Sequence, residues 1–465
     1  MKSSEIRKSF INFFEKKRHK FIRSSSVAPN DDPTLLFTNA GMNQFKSIFL
    51  NKENPKFLRA VNSQKCIRVS GKHNDLEEVG IDLFHHTFFE MLGNWSFGDY
   101  YKEEAIKWTW ELFTEIWELD KNRLWVSVYY KDEEAFQIWK NSTDIEENRI
   151  VKCKEEDNFW EMGNTGPCGP CSEVHYYVGD EVDNQIADGV NNSDQYWELG
   201  NIVFIQYNRI NDKSLVDLTS KHIDTGFGLE RISAILQGKN SNYDTDLFYP
   251  VIKEVESISN VPYADNGVSH RVIADHIRLL CFSIADGALP SNEGRGYVIR
   301  RILRRASRFG RNIGLKKPFL HKMVKQIVKM MSDFYPELKE KQKHIEKVIL
   351  SEEESFGKTL DRGLNHFEKI ILKSENQIID GKDAFQLYDT FGFPIDLTVL
   401  MAKERKINVD ISGFEKLMQS QKLKARKTSR FDLNQKTLSW VTLSEGSHSK
   451  FLGYERLTTK SLIRK

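Results

Sequence analysis

The chain has 465 residues, 39% of them hydrophobic and 29% charged, with a net charge of only +2. That length gives room for two or three domains around a large core, and the near-neutral balance means that any attraction to nucleic acid must come from a local patch. No apolar run approaches the roughly 18–20 residues that span a bilayer, the start Met1-Lys-Ser-Ser-Glu-Ile-Arg lacks a signal peptide's apolar stretch, and five sparse cysteines fit a reducing cytoplasm; a cytoplasmic protein without membrane contact is expected.

Residues 4–17 predict a helix, with Ile6, Phe10, Phe13 and Phe14 on one face. Cys66-Ile-Arg-Val-Ser-Gly-Lys-His-Asn-Asp75 and Leu83-Phe-His-His-Thr-Phe-Phe-Glu-Met-Leu-Gly93 predict a short strand ending at Arg68, a polar loop with Lys72 and His73, and a returning aromatic strand. An arginine fork can grip a phosphate or carboxylate at two points. A lysine and a histidine on a loop can follow a polyphosphate, and Phe88 or Phe89 can stack a base. The bland alternative is a surface hairpin with solvated charges over core phenylalanines.

Residues 103–119 predict a second helix, carrying Trp108, Leu112, Phe113, Ile116 and Trp117. Strands are predicted at 124–130, 173–178 and 202–207, which are rich in β-branched and aromatic residues. Long connections and no strand–helix alternation favour an α+β fold, an antiparallel sheet flanked by helices. Cys168-Gly-Pro-Cys171 invites a redox or zinc reading. No βαβ pattern surrounds it and two thiols do not complete a tetrahedral shell, so a rigid structural loop is expected and zinc is not.

Asp224-Thr-Gly-Phe-Gly-Leu-Glu-Arg231 is the most informative stretch. Two glycines let the backbone approach something flat, and Glu230-Arg231 opens a helix whose stripe is Leu229, Ile232, Ile235 and Leu236. The order fits neither the Walker loop nor the dinucleotide fingerprint. Beyond about residue 245 long helices take over, and a boundary is expected near 242–250. Arg295–Arg311 holds seven arginines and no acid, with Arg300, Arg304, Arg308 and Arg311 on one helical face. A solvated face of ion pairs is the common outcome for such a run, but its single sign points to phosphate contact. Apolar residues from Ile345 to Ile371 recur at helical spacing, with a weak point at Glu352.

Gly-x-Gly-x-Glu-Arg at 226–231 resembles motif 3 of the class II aminoacyl-tRNA synthetases, and the block at 66–93 resembles motif 2 of the alanyl-tRNA synthetase family. Asp32–Phe45 is similar to that family's motif 1 region. Phe159–Glu173 and Asn201–Arg209 are similar to its substrate-pocket segments, and 271–278, 290–301 and 387–394 to its tRNA-recognition region. The resemblance runs from residue 4 to about 455 in the family's order.

It implies a class II aminoacylation domain at 1–242, a helical tRNA-recognition domain at 243–443, and a linker at 444–465 that begins an editing domain. The implied function is that of an alanine–tRNA ligase, with alanine, ATP, Mg²⁺ and alanine tRNA as substrates and cofactors. Arg68 would bridge the alanine carboxylate and the α-phosphate, Asp224 would hold the ammonium, and Arg231 would cover the adenine, with Phe88 or Phe89 on its other side. Lys72, His73, Glu77, Glu90, Gly228 and Glu230 complete the implied ATP site, Glu77 and Glu230 as helpers to the metal. Met42, Trp160, Asn201, Val203 and Gly226 would shape the alanine pocket. Asn292, Arg300, Arg304, Arg308, Asp389 and Asp396 would meet the tRNA, whose acceptor stem carries a G·U pair in this family. Some family members extend the Cys-x-x-Cys with two histidines, but those positions are Val178 and Glu181 here. Gly200 departs from the family's usual tryptophan. A monomer without editing motifs is expected. An adenylate-forming relative that does not use tRNA, or a non-catalytic RNA-binding descendant, are the rivals; the arginine run argues against the first, and Arg68, Asp224 and Arg231 against the second.

Overall fold

The structure, a computed structural model, describes residues 1–29, 35–70, 73–74, 76–163, 165–211, 214–373, 377–428 and 458, without the side chains of 70, 73, 74, 359, 373, 396 and 422–428. The strands of the first half are β1 (Lys20–Phe21), β2 (Arg59–Ile67), β3 (Val69–Ser70), β4 (His73–Asn74), β5 (Phe88–Phe97), β6 (Leu124–Tyr129), β7 (Ile150–Cys153), β8 (Phe159–Glu161), β9 (Gly166–Tyr177), β10 (Tyr196–Asn211) and β11 (Ser214–Gly228). Nine of them form one sheet in the order β1-β2-β5-β11-β10-β9-β6-β7, with β8 paired to β9. Only β1–β2 and β6–β7 run parallel; the other pairs are antiparallel. The short β3–β4 hairpin stands apart from the sheet.

Helices α1 (Ser3–Lys16), α2 (Lys46–Phe49), α3 (Lys102–Glu111), α4 (Glu133–Ser142), α5 (Glu155–Asn158) and α6 (Leu229–Leu236) accompany this sheet. The predicted helix at 103–119 changes pitch: α3 ends at Glu111 and a wider π turn continues to Ile116. Helices then dominate: α7 (Tyr249–Ser259), α8 (Gly267–Ala285), α9 (Gly294–Asn312), α10 (Leu320–Met331), α11 (Glu337–Glu340), α12 (Gln342–Lys373), α13 (Gly381–Phe391), α14 (Ile395–Glu404) and α15 (Ile411–Thr428). A two-stranded parallel ribbon, Ile378–Ile379 with Asn408–Val409, interrupts the all-helical expectation. Among the described residues no helix is long and apolar enough to cross a membrane.

Period-two alternation sorts the central strands. Phe88 and Leu92 of β5, Ile202 and Phe204 of β10, and Ile223 and Phe227 of β11 enter the main core. Their neighbours face the other way, where part of the sheet lies under a smaller apolar cluster with Met42 and Phe45 and part lines a cleft. The main core does not stop near residue 242. It runs from Ile6 through Phe282 of α8 and on to Ile349 of α12, with Phe88 and Phe282 stacked at 4.3 Å and 7°. A second core gathers Phe356 through Phe414. The long α12 passes through both and continues unbroken past the weak point at Glu352.

The Cys168–Cys171 segment is not a loop. It lies within β9, opposite Tyr207 and Val203 of β10, with a register shift between the two pairs that accommodates the prolines. Both thiols are buried, and burial raises Cys168 to about 11.

Candidate active site

The face of the sheet turned away from the main core floors a cleft of about 240 Å³, lined chiefly by residues from β5, β10, β11 and the start of α6. Asp224, Gly226 and Gly228 fall on one face of β11. Phe89 and Met91 reach it from β5, and Asn201, directly opposite Gly226, from β10. Trp160 and Ala40 contribute from the surrounding segments. The cleft thus gathers Arg68, Phe89, Trp160, Asn201, Asp224, Gly226, Gly228, Glu230 and Arg231 from the sequence-derived set.

Charge is distributed unevenly within it. Asp224 is 7% exposed and accepts one hydrogen bond, from the Trp95 indole at 2.6 Å; the two residues sit directly opposite in the β5–β11 register. Burial pushes its carboxyl up to about 7, and the indole only partly offsets this. A buried carboxylate with a neutral partner is an uncompensated charge. Two guanidiniums line the same cleft. Arg68 lies 4.9 Å over the ring of Phe89, and its Nε donates to the Asn39 carbonyl at 3.4 Å. Arg231 lies 5.3 Å over Phe84 and donates to the Glu198 carbonyl at 2.8 Å. Among the described residues Arg68 keeps donors available, whereas Arg231 also stands 3.6 Å from the Glu198 carboxylate; each plane is held by an aromatic face, as suits a phosphate grip.

Gly200 has a physical reason. Its φ is +151° beside a register shift, and a Cβ there would stand 2.1 Å from the Gly226 carbonyl oxygen. This backbone path admits no larger residue.

Several expected residues stand elsewhere. Phe88 is no base platform: alternation turns it into the core against Phe282, and Phe89 alone of the pair faces the cleft. Glu90 is buried beneath the sheet, paired with Arg7 at 2.7 Å and bonded by the Ser63 and Tyr335 hydroxyls. Glu77 bonds Lys403 of α14 and lines a different cavity. Glu230 reaches the cleft wall, but Arg278 holds its carboxylate at 2.7 Å. Met42 and Val203 lie one layer below the lining, in an apolar cluster with Trp95 against which Trp160 packs. Lys72 and the His73 side chain lie outside the described residues.

The arginine run differs most from its expectation. Acids missing locally arrive from distant helices. Arg300 and Arg304 meet Glu352 of α12 at 2.8 and 3.3 Å, Arg308 meets Glu404 of α14 at 2.7 Å, and Arg311 meets Asp361 of α12 at 2.8 Å. Glu352 occupies the apolar stripe of α12, which explains the weak point in its pattern. Asn292 is exposed and accepts from Arg300; Asp389 is exposed and accepts from Gln421. The Asp396 side chain lies outside the described residues.

Phe84, His85, His86, Glu198 and Asn242 also line the cleft, and Trp95 supports it from below. Sequence reasoning missed them. Trp95 could have been found from strand pairing with Asp224, but Asn242 reaches the cleft only through tertiary packing.

Comparison with known proteins agrees with this geometry. The family described as tRNA synthetases class II (A) matches residues 5–465. The chain is 53% identical over 474 residues to the alanine–tRNA ligase of Chlorobium chlorochromatii, covering 100% of this chain and 53% of that protein. It is 50% identical to the ligase of Chlorobaculum tepidum, again over 100% and 53%, and 49% identical to that of Cytophaga hutchinsonii, over 100% and 54%. The chain therefore spans about half the length of the curated relatives it matches. A solved apo histidyl-tRNA synthetase from S. aureus shares 10% identity over 52% of this chain and 67% of that one, at a TM-score of 0.31.

Proposed function

This chain belongs to the class II tRNA synthetases, and on that premise we propose that it activates alanine with ATP and passes the alanyl group to the 3′ end of alanine tRNA. The observation that carries the reading is Asp224, a buried carboxylate without a positive partner among the described residues, in a cleft whose other charged walls include two arginines. An α-ammonium supplies the missing charge. The alanine carboxylate then points toward Arg68 and attacks the α-phosphorus of ATP, and pyrophosphate leaves. In the second step a ribose hydroxyl of the tRNA's terminal adenosine attacks the alanyl carbonyl, and AMP leaves.

The protein's part is placement and charge stabilisation rather than proton transfer. Arg68 faces the charge that builds at the α-phosphate, and Arg231 and Phe89 supply flat surfaces for the base. ATP would enter with Mg²⁺. Among the described residues no group of three or more metal-ligating side chains exists, and Glu230 and Glu77 are held by Arg278 and Lys403. The ion would be carried mainly by the phosphates, as is usual for Mg²⁺. Trp160, Met91 and Gly226 line the same cleft as Asp224 and would flank the alanine methyl group.

In this reading residues 1–242 carry the aminoacylation chemistry and 243–443 recognise the tRNA. Asn292 and Asp389 are the exposed polar groups offered to a G·U pair, and the chain acts as a cytoplasmic monomer. The test is amino-acid-dependent exchange of pyrophosphate into ATP across all amino acids. Alanine should stimulate it most strongly, and no stimulation by alanine would overturn the reading.

A further inference from the structure

Behind the cleft a line of buried polar side chains runs from the arginine-rich helix to the strand that forms the cleft wall. Arg305 of α9 donates to His276 Nε2 at 2.8 Å. The other ring nitrogen, Nδ1, donates to Asp275 Oδ2 at 2.9 Å. Arginine can only donate, so Nε2 must accept and Nδ1 must carry the proton; the neighbours fix the tautomer. Asp275 in turn accepts from the Thr87 backbone N–H at 3.0 Å and from the Thr87 hydroxyl. The carbonyl of Thr87 accepts from the backbone N–H of Arg68 at 3.0 Å. Arg305, His276, Asp275 and Thr87 are each no more than 1% exposed. The line ends at the residue whose guanidinium rests on Phe89.

A branch leads toward His86 on the cleft wall. Its Nδ1 stands 3.4 Å from Asp275 without making a hydrogen bond, and its Nε2 accepts from the cleft-lining Asn242 at 2.9 Å.

Such a line is costly to bury. Burial works against a charge on Asp275, yet the hydrogen bond from His276 and the closeness of His86 outweigh it and hold the carboxyl well below the usual range. His276 is pulled down to about 4, chiefly by burial, and stays neutral. Apolar side chains would fill the same space without an unpaired-charge risk. What a hydrogen-bonded polar line adds is geometry, since its bonds restrict the orientation of each member.

We propose that Asp275, oriented by the Arg305–His276 pair, is a positioning residue for Arg68. Through Thr87 it fixes the peptide that anchors the backbone of Arg68, so that α8 and α9 set where the guanidinium stands in the cleft. The inference rests on the reading of Arg68 as the arginine at the reacting phosphate. Sub-ångström control there has kinetic weight, because a misplacement of about 1 Å can cost on the order of 10²-fold in rate.

The test uses the full chain carrying His276→Leu, His276→Gln or Arg68→Ala. Turnover is expressed per active site, counted from the burst of adenylate, so that a loss of folded protein does not register as a loss of rate. Glutamine keeps a donor for Asp275 and an acceptor for Arg305; leucine keeps neither. We expect H276L to lose on the order of 10²-fold in turnover per site, H276Q to remain close to the parent, and R68A to lose exchange. Parental turnover per site in H276L would overturn the proposal even if its melting temperature fell, and so would equal losses in H276L and H276Q. If R68A retains exchange, the reading of Arg68 itself fails, which is a different result. Should H276L not fold, Thr87→Val decides: it removes only the hydroxyl bond, and an unchanged turnover per site would overturn the proposal.

Discussion

Replacing Asp224 by asparagine should make the empty protein more stable and the enzyme inactive. The unfolded chain ionises this carboxyl near 3.8, whereas burial, offset in part by the Trp95 indole, keeps it protonated in the folded protein up to about 7. Between those values the folded state holds the extra proton, so stability falls as pH rises, and the loss is complete above the folded value. A displacement of that size costs the folded state roughly 4 kcal/mol at alkaline pH. Asparagine still offers an oxygen to the indole and has no charge to bury. The stability gain of D224N over the parent should therefore grow by about 2–3 kcal/mol between about pH 5 and about pH 8. Urea unfolding of both proteins at the two pH values measures it, and a gap that does not widen with pH refutes the reasoning. The same variant should lose alanine-stimulated exchange and keep ATP binding; an equal loss of ATP affinity would show that Asp224 does not face the ammonium. In the parent, the KM for alanine should rise as pH falls below about 7, because a proton then competes with the ammonium.

The two phenylalanines of β5 should separate cleanly: Phe88→Ala should cost about 3–5 kcal/mol of stability, while Phe89→Ala should spare stability and raise the KM for ATP, and the opposite pattern would reverse their assignments. Arg308→Ala should destabilise by about 1–3 kcal/mol through the loss of its pair with Glu404; if instead Arg300, Arg304 and Arg308 changed together lower the salt slope of tRNA binding by about one per residue without loss of stability, these arginines are phosphate contacts after all. Asn292→Ala and Asp389→Ala should spare pyrophosphate exchange and depress charging of a G·U tRNA more than a G·C variant; equal losses would make both residues structural. Serine and glycine should both stimulate exchange, since a hydrophobic pocket separates such neighbours by only ~10–200-fold, and exchange confined to alanine would mean stricter discrimination than this cleft provides.

Much of this was legible in the sequence because it was local. The 3.6-residue stripe of α1 and the aromatic strands β6 and β10 announced themselves through periodicity. Asp224, Arg231 and Arg68 stood out because charged groups beside paired glycines and aromatics suggest a ligand. What could not be read depended on contacts between distant segments. Choosing Phe89 over Phe88 required knowing which face of β5 the core would cover. The absence of acids within Arg295–Arg311 was real, but ion pairs need proximity in space and not in sequence; Glu352, Asp361 and Glu404 supply it. Glu352 looked like a flaw in a helix and is the partner of two arginines. The Cys168 segment looked like a turn because of its prolines, and a register shift lets it be a strand.

The continuity of the main core across residue 242 limits how this sheet can be inherited. A fragment ending there would keep Phe88, Thr87 and the Glu230 carboxylate but lose Phe282, Asp275 and Arg278, which cover or pair with them. Its exposed surface would be an apolar patch with an unbalanced acid at the centre, which is a recipe for aggregation. This sheet is therefore not a portable module: a transplant of it to another protein would need α8 to come along as its cover and counter-charge.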